Sequence, residues 1–275
     1  MINSVRTRRA RWAALSASFV VTLAASRTGS AAPLQITVTN DQAPGGFALS
    51  PLWLAAQDGS VATFSPGSTA SSSLQALAEL GDSSKLSAAF AGQGSQALAG
   101  TTQLTPGSSA STVLDVANPA TDRYLNFGAM VVPSNDFFLG NSDAKGFQLF
   151  DAGGHFVGPT TIQIFGHNVW DAGTEVNNIQ FGAAFVVGDN AADHVDQNGV
   201  ISPVFGGATD PSAYLNSILG KATPKGYDIS HLISSDDLIA TIQISAVPEP
   251  STFAVLGLGI MAMLRKALPG RRSIP

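Results

Sequence analysis

The chain has no cysteine. That one absence excludes disulfide staples, thiolate metal sites, iron–sulfur clusters and a cysteine nucleophile. Charge is also scarce, at 12% of residues, and positive charge is scarcest where a fold could use it. Of 14 Lys and Arg, nine sit at the two ends: Arg6, Arg8, Arg9, Arg11 and Arg27, then Arg265, Lys266, Arg271 and Arg272. Between residues 33 and 250 only Lys85, Arg123, Lys145, Lys221 and Lys225 face all 19 acids, a net of 5 − 19 = −14. Five scattered cations form no stripe to neutralise phosphates, which argues against nucleic acid as a partner. Motifs of common enzymes are missing too: no Gly-x-Ser-x-Gly elbow, no His-Glu-x-x-His and no phosphate loop with its lysine. What is present is apolar mass. At 44% hydrophobic residues the chain is too apolar for intrinsic disorder, and the stretch between its ends is long enough for one large domain or two small ones.

The ends read as addresses. A basic segment through Arg11, an apolar run over 12–25 and small residues through Ala32 form the pattern of a secretory signal peptide, with cleavage expected near Ala31. The run is shorter than the roughly 20 residues of a spanning helix. At the other end Val247-Pro248-Glu249-Pro250-Ser251-Thr252 precedes an apolar run over 253–264 and the cations Arg265, Lys266, Arg271 and Arg272. Residues 252–268 can cross a thin bilayer with the cations on the cytoplasmic side. The two prolines forbid helix at 248–250 and leave an extended segment open to a protease. This tail resembles the PEP-CTERM sorting signal of Gram-negative bacteria that make exopolysaccharide. The resemblance implies that exosortase, a membrane protease, cleaves at or near Pro248, Glu249 and Pro250 and delivers the protein to the envelope exterior or extracellular matrix. The expected division is therefore a signal peptide at 1–32, a body at 33–246 and a sorting tail at 247–275.

The body has β texture. Residues 34–40 and 238–245 alternate apolar and polar side chains, the period-two mark of half-buried strands. Further strands are expected at 47–57, 61–64, 86–90, 112–116, 124–132, 146–150, 161–165 and 180–187, separated by turns such as Pro44-Gly45-Gly46, Pro66-Gly67, Pro106-Gly107 and Gly153-Gly154. Helical spacing of Leu74, Leu77, Ala78 and Leu80 before Gly81 predicts a helix over 71–80, and a second, shorter one is expected over 211–219. Residues 92–111, rich in Gly, Ser, Thr and Gln, read as a long exposed loop or hairpin. The region 188–228, with Asp189, Asp193, Asp196, Asp210 and Asp228, reads as acidic loop. The fold class is all-β, a single antiparallel sandwich.

Two segments carry possible chemistry: Val132-Pro133-Ser134-Asn135-Asp136-Phe137-Phe138 and Trp170-Asp171-Ala172-Gly173-Thr174-Glu175. Each places an acid in a turn at a strand end, and Asp171 and Glu175 bracket a segment that can fold both carboxylates toward one point. Three carboxylates gathered there would resist joint ionisation without a cation, and a hard cation such as calcium takes oxygens from flexible loops. With Ile36 to Asn40, Phe47-Ala48-Leu49-Ser50-Pro51 and Trp53, these motifs make residues 34–187 similar to the spondin domain. The resemblance implies a β-sandwich like calcium/lipid-binding domains and one calcium held by three acids, at positions matching Asp136, Asp171 and Glu175, the last an aspartate in the family. The run Asp193-His194-Val195-Asp196-Gln197-Asn198-Gly199 has some EF-hand spacing, but His194 at position one and Phe205 at position twelve break it, so it reads as a solvated acidic loop. His155, His167, His194 and His231 read as loop or surface residues, and Trp53, Phe137, Phe138 and Trp170 as packing aromatics.

The sequence thus points to a non-catalytic, calcium-binding surface or matrix protein that acts in adhesion or biofilm-matrix organisation, with exosortase as its sorting partner. Its extracellular ligand is a polysaccharide or a protein. A carbohydrate-binding module and a secreted polysaccharide hydrolase with an acid pair stay open as alternatives.

Overall fold

The computed structural model describes residues 31–179, 185–189, 194–207 and 209–247. The signal peptide, most of the tail with Pro248, Glu249 and Pro250, and the apolar run 252–268 lie outside the described residues. Among the described residues no helix is long and apolar enough to cross a membrane.

Two antiparallel sheets face each other. The four-stranded sheet runs β5 (Ser109–Val116), β1 (Ala32–Asn40), β11 (Leu238–Ala246), β8 (Thr161–Phe165). The first and last strands pair, with Ile36 opposite Ile244 and Val38 opposite Ile242. The larger sheet runs β10 (Ser202–Pro203), β9 (Val169–Asp171), β7 (Phe137–Gly140), β6 (Tyr124–Val132), β3 (Leu52–Gln57), β4 (Gly94–Ala99), with β2 (Ala48–Leu49) also on β6. Period-two patterning turns Leu34, Ile36 and Val38 of β1 and Ile242 and Ile244 of β11 inward onto Leu54, Leu125, Phe127, Val131 and Leu139 of the other sheet. Each such side chain, fully withdrawn from water, contributes about 1.5–3 kcal/mol.

The larger sheet is covered on its second face as well. Trp53 and Phe138 point away from the sandwich core and pack with Leu74, Leu77, Leu86 and Phe90 from α1 (Ser72–Leu80) and α2 (Ser84–Ala89) and the residue that ends it. Trp53 and Phe90 meet edge to face at 4.8 Å. This is why β3 and β6 are buried at every residue and read as continuous apolar runs. In α1 the Ser71 hydroxyl accepts from Leu74 N at 3.2 Å, and Gly81, at φ 67°, closes the helix with its N–H on Leu77 O. Beneath it, β6 carries Gly128, where a Cβ would stand 2.8 Å from Leu77 Cδ2; the glycine lets helix and sheet touch.

The sandwich, the helix at 71–80, the one at 211–219 (α3, Ser212–Ile218) and the strands at 34–40, 124–132, 161–165 and 238–245 follow expectation. Other segments differ. Residues 86–90, expected as a strand, belong to α2 and its end: Asp82 Oδ1 accepts from Ser84 N at 2.8 Å and starts a helical turn that docks Leu86. The expected strand 47–57 breaks at Ser50-Pro51 into β2 and β3. The segments 61–64 and 146–150 join no ladder; in the second, Gln148 bridges Tyr124 and Phe150 bridges Phe156. Residues 92–111 hold β4, which pairs with β3, and the start of β5, which pairs with β1, so this segment crosses from one sheet to the other. Of the expected strand 180–187, residues 180–184 lie outside the described residues and 185–187 are not extended ladder.

Candidate functional site

Both motif segments end at the same edge of the larger sheet, where Asp171 of β9 lies between Phe137 of β7 and Ser202 of β10. A tight turn delivers Asp136 there: the Ser134 hydroxyl donates to Val131 O at 2.6 Å and accepts from Phe137 N at 3.0 Å. Asp136 is fully buried. Its backbone oxygen accepts from Ala172 N at 3.1 Å, and its Oδ2 accepts from Thr174 N at 2.7 Å, Thr174 Oγ1 at 3.1 Å and Glu175 N at 3.1 Å. One carboxylate oxygen therefore organises the whole Ala172 to Glu175 turn. Gly173 enables that turn, because it sits at φ 68° and a Cβ would meet Val200 O at 2.7 Å. Asp171 Oδ1 accepts from Gly173 N at 2.7 Å, and its Oδ2 accepts from the Asn177 amide.

Two oxygens are left over. Asp136 Oδ1 and Asn177 Oδ1 are buried and have no hydrogen-bond partner. A cap for the 172–175 turn needs only Oδ2, so capping does not account for the bare Oδ1. Such groups are costly unless something neutralises them. Burial first, and the neighbouring Asp171 carboxylate second, push the pKa of Asp136 up from 3.8 to about 8, against the lowering pull of its three donors. Burial also raises Asp171, offset in part by Gly173 N and Asn177.

The structure brings Asp136 and Asp171 together as the motifs suggest and gives Glu175 another role. The Glu175 backbone is pinned by Asp136, but its carboxylate accepts from Asn135 Nδ2 at 3.2 Å and faces His194 Nδ1 at 3.7 Å. Burial raises its pKa to about 7. Among the described residues no group of three or more His, Asp or Glu side chains is placed to hold a metal ion.

The 194–199 segment, expected as a free acidic loop, is laid along the 173–176 segment: Glu175 bridges Asp196, Gln197 N donates to Thr174 O at 2.7 Å, and Gly199 N to Gly173 O at 2.9 Å. Asp193 lies outside the described residues. His155, His167 and His231 are exposed as expected. Trp53, Phe137 and Phe138 are core residues, and Trp170 packs edge to face on Phe64 at 5.0 Å.

Sequence reasoning missed Asn177, Asn135 and Tyr214 as site residues. The Tyr214 hydroxyl, brought from α3, accepts from Asn135 N at 2.7 Å, and its ring meets Phe137 edge to face at 5.4 Å. Burial, with the three nearby carboxylates adding, holds its phenol well above the ordinary value. Asn135 and Asn177 flank acids the motifs single out, a signal that was available. Tyr214 carried none, since only the tertiary fold brings α3 to this edge.

Residues 246–271 match the PEP-CTERM protein-sorting motif family. The tail thus marks a secreted protein sorted by exosortase to the cell surface or extracellular space of a Gram-negative bacterium. No curated protein matches the chain.

Proposed function

We propose that the body is a non-catalytic binding domain, displayed outside the cell after exosortase sorting, that takes up one calcium ion beside Asp136 and acts in adhesion or matrix organisation. The observation that carries this reading is the pair of orphaned oxygens, Asp136 Oδ1 and Asn177 Oδ1, beside a second, half-buried carboxylate, Asp171. The residues fit a hard cation in kind, because calcium accepts carboxylate and amide oxygens together with water. Asp136, Asp171 and Asn177 would hold it. When bound, the ion would supply the positive charge that lets both carboxylates stay ionised. Glu175 would stand outside this set, a departure from the three-acid pattern of the spondin domain. Likeness to that domain otherwise draws support from the antiparallel sandwich and from the meeting of Asp136 with Asp171.

The non-catalytic reading rests on access. Asp136 is fully buried and one of its oxygens is engaged by three donors, which is poor placement for an acid that must reach a glycosidic oxygen. Calorimetric titration of the full-length chain with calcium tests the proposal: binding that Asp171→Asn or Asn177→Ala abolishes and Glu175→Gln leaves in place is the expected result. Absence of binding, or binding indifferent to Asp171→Asn, refutes it.

A further inference from the structure

Next to the carboxylate pair lies a cavity of about 330 Å³, walled by β9, β10, the 197–200 segment and the start of α3. Three features define what it could hold. Its rim is apolar although wet: Val176 is 36% exposed and Val200 48%, and Phe137 and Tyr214 line the interior. Its polar groups are the Gln197 amide, the Ser202 hydroxyl and the Asp210 carboxylate, the last also accepting from Ser212 N at 2.9 Å through Oδ1. Its charge is one-sided, since Asp171 and Asp210 line it and no Lys, Arg or His does.

Each feature removes a class of ligand. Phosphates, uronates and other anions would meet Asp210 and Asp171 with no Lys, Arg or His side chain to receive them. A hydrocarbon would strand the amide and carboxylate groups without partners. A pyranose ring satisfies both halves, with a C–H face for the valines and a belt of hydroxyls, each donor and acceptor, for Gln197, Ser202 and Asp210. The volume is at the small end of the roughly 300–1,000 Å³ of small-molecule sites, which suits one ring and not an extended chain.

We infer that this cavity binds a single uncharged sugar residue, at the end or a branch of a polysaccharide. The inference gives the surface-binding reading a ligand class. It can fail separately from the calcium reading, because Gln197, Ser202 and Asp210 stand outside the set that would hold the ion, although Asp171 and Asn177 of that set also line the cavity.

The full-length chain is titrated with glucose, galactose, mannose and N-acetylglucosamine, with glucuronate and a simple alkylamine as charged controls, and binding is followed by saturation-transfer NMR and calorimetry. At least one neutral sugar is expected to bind, and Gln197→Ala and Asp210→Asn are each expected to weaken it about tenfold, near 1.4 kcal/mol, with the thermal melt and the calcium titration unchanged. The inference is overturned if no neutral sugar binds, if both variants bind as the parent does, or if the alkylamine or glucuronate binds in the sugars' place. Sugar binding without calcium binding would refute the metal reading alone; calcium binding without sugar binding would refute this one alone.

Discussion

Raising the pH of the calcium-free protein is expected to strip stability from it, because Asp136 resists ionisation in the fold and not in the unfolded chain. Its carboxyl titrates near 3.8 when unfolded and near 8 when folded. The stabilisation from the protonated form is complete below about pH 4, declines from 4 to 8, where the unfolded chain has released a proton that the native state retains, and is gone above about 8, where both have released it. At about 1.4 kcal/mol per pH unit, the full loss is on the order of 5 kcal/mol, comparable to the whole stability of many domains. Glu175, raised to about 7, and Asp171 act in the same direction. Asp58, Asp82, Asp151 and Asp210 are lowered by local hydrogen bonds, so their opposite effect falls below pH 4, outside the window. Calcium, binding the ionised pair in the native state only, restores stability by mass action, and restores most of it at pH 8. Thermal melts by circular dichroism at pH 5 and pH 8, in chelator and in calcium, read this directly. Asp136→Asn keeps an acceptor for Thr174 and Glu175 but cannot ionise, so its melt is expected to show a shallower pH slope and no calcium effect. A parent protein that melts alike at both pH values in chelator, or gains as much from calcium at pH 5 as at pH 8, refutes the reasoning.

Tyr214→Phe leaves the buried Asn135 N–H without its acceptor, which is expected to destabilise the domain by about 1–3 kcal/mol in denaturant unfolding. Glu175→Asp shortens the reach to Asn135 and is expected to cost about 1 kcal/mol of stability with calcium affinity unchanged; a gain in affinity on calorimetry would return position 175 to the ion's shell. Leu77→Ala, beneath the α1 contact with Gly128, is expected to cost about 2–5 kcal/mol in chemical denaturation, and a loss under 1 kcal/mol would mean the helical layer is not part of the cooperative core. Glu249→Ala is expected to leave unprocessed protein in the inner membrane on immunoblots of cell fractions, whereas unchanged processing would show that the tail match does not mark the cleavage signal.

How far the sequence could be read follows from how local each determinant is. Ser71 and Gly81 bracket α1 within ten residues of chain, and the alternation in β1 and β11 needs only their own side chains, so those elements were legible. The tail was more legible still, because its proline pair, apolar run and cations act in linear order. Segment 86–90 was misread because two apolar residues at its ends fit a strand as well as a helix; the contact of Phe90 with Trp53 decides, and it comes from a distant strand. β4 was obscured for the same reason. Its Gly, Ser and Gln have little intrinsic preference for extended chain, and the ladder to β3 supplies what propensity lacks.

The candidate site shows the same division at atomic scale. Spacing was enough to bring Asp136 and Asp171 to one edge, because each ends a turn that its own neighbours close: Ser134 for the first, Gly173 for the second. Spacing could not settle where the Glu175 carboxylate turns. Its backbone N–H is committed to Asp136, so the side chain is set by what lies beyond, namely Asn135 on one strand connection and His194 on a segment nineteen residues further along the chain. The amide that takes its place beside Asp171 belongs to Asn177, a residue with no charge and so no mark in a search for acids. A net of −14 in the body therefore says little about cation binding by itself. Several of the acids carrying it, such as Asp58, Asp151 and Asp210, are solvated turn caps. The case for a cation rests instead on two of them, Asp136 and Asp171, one buried and one half-buried at a single sheet edge.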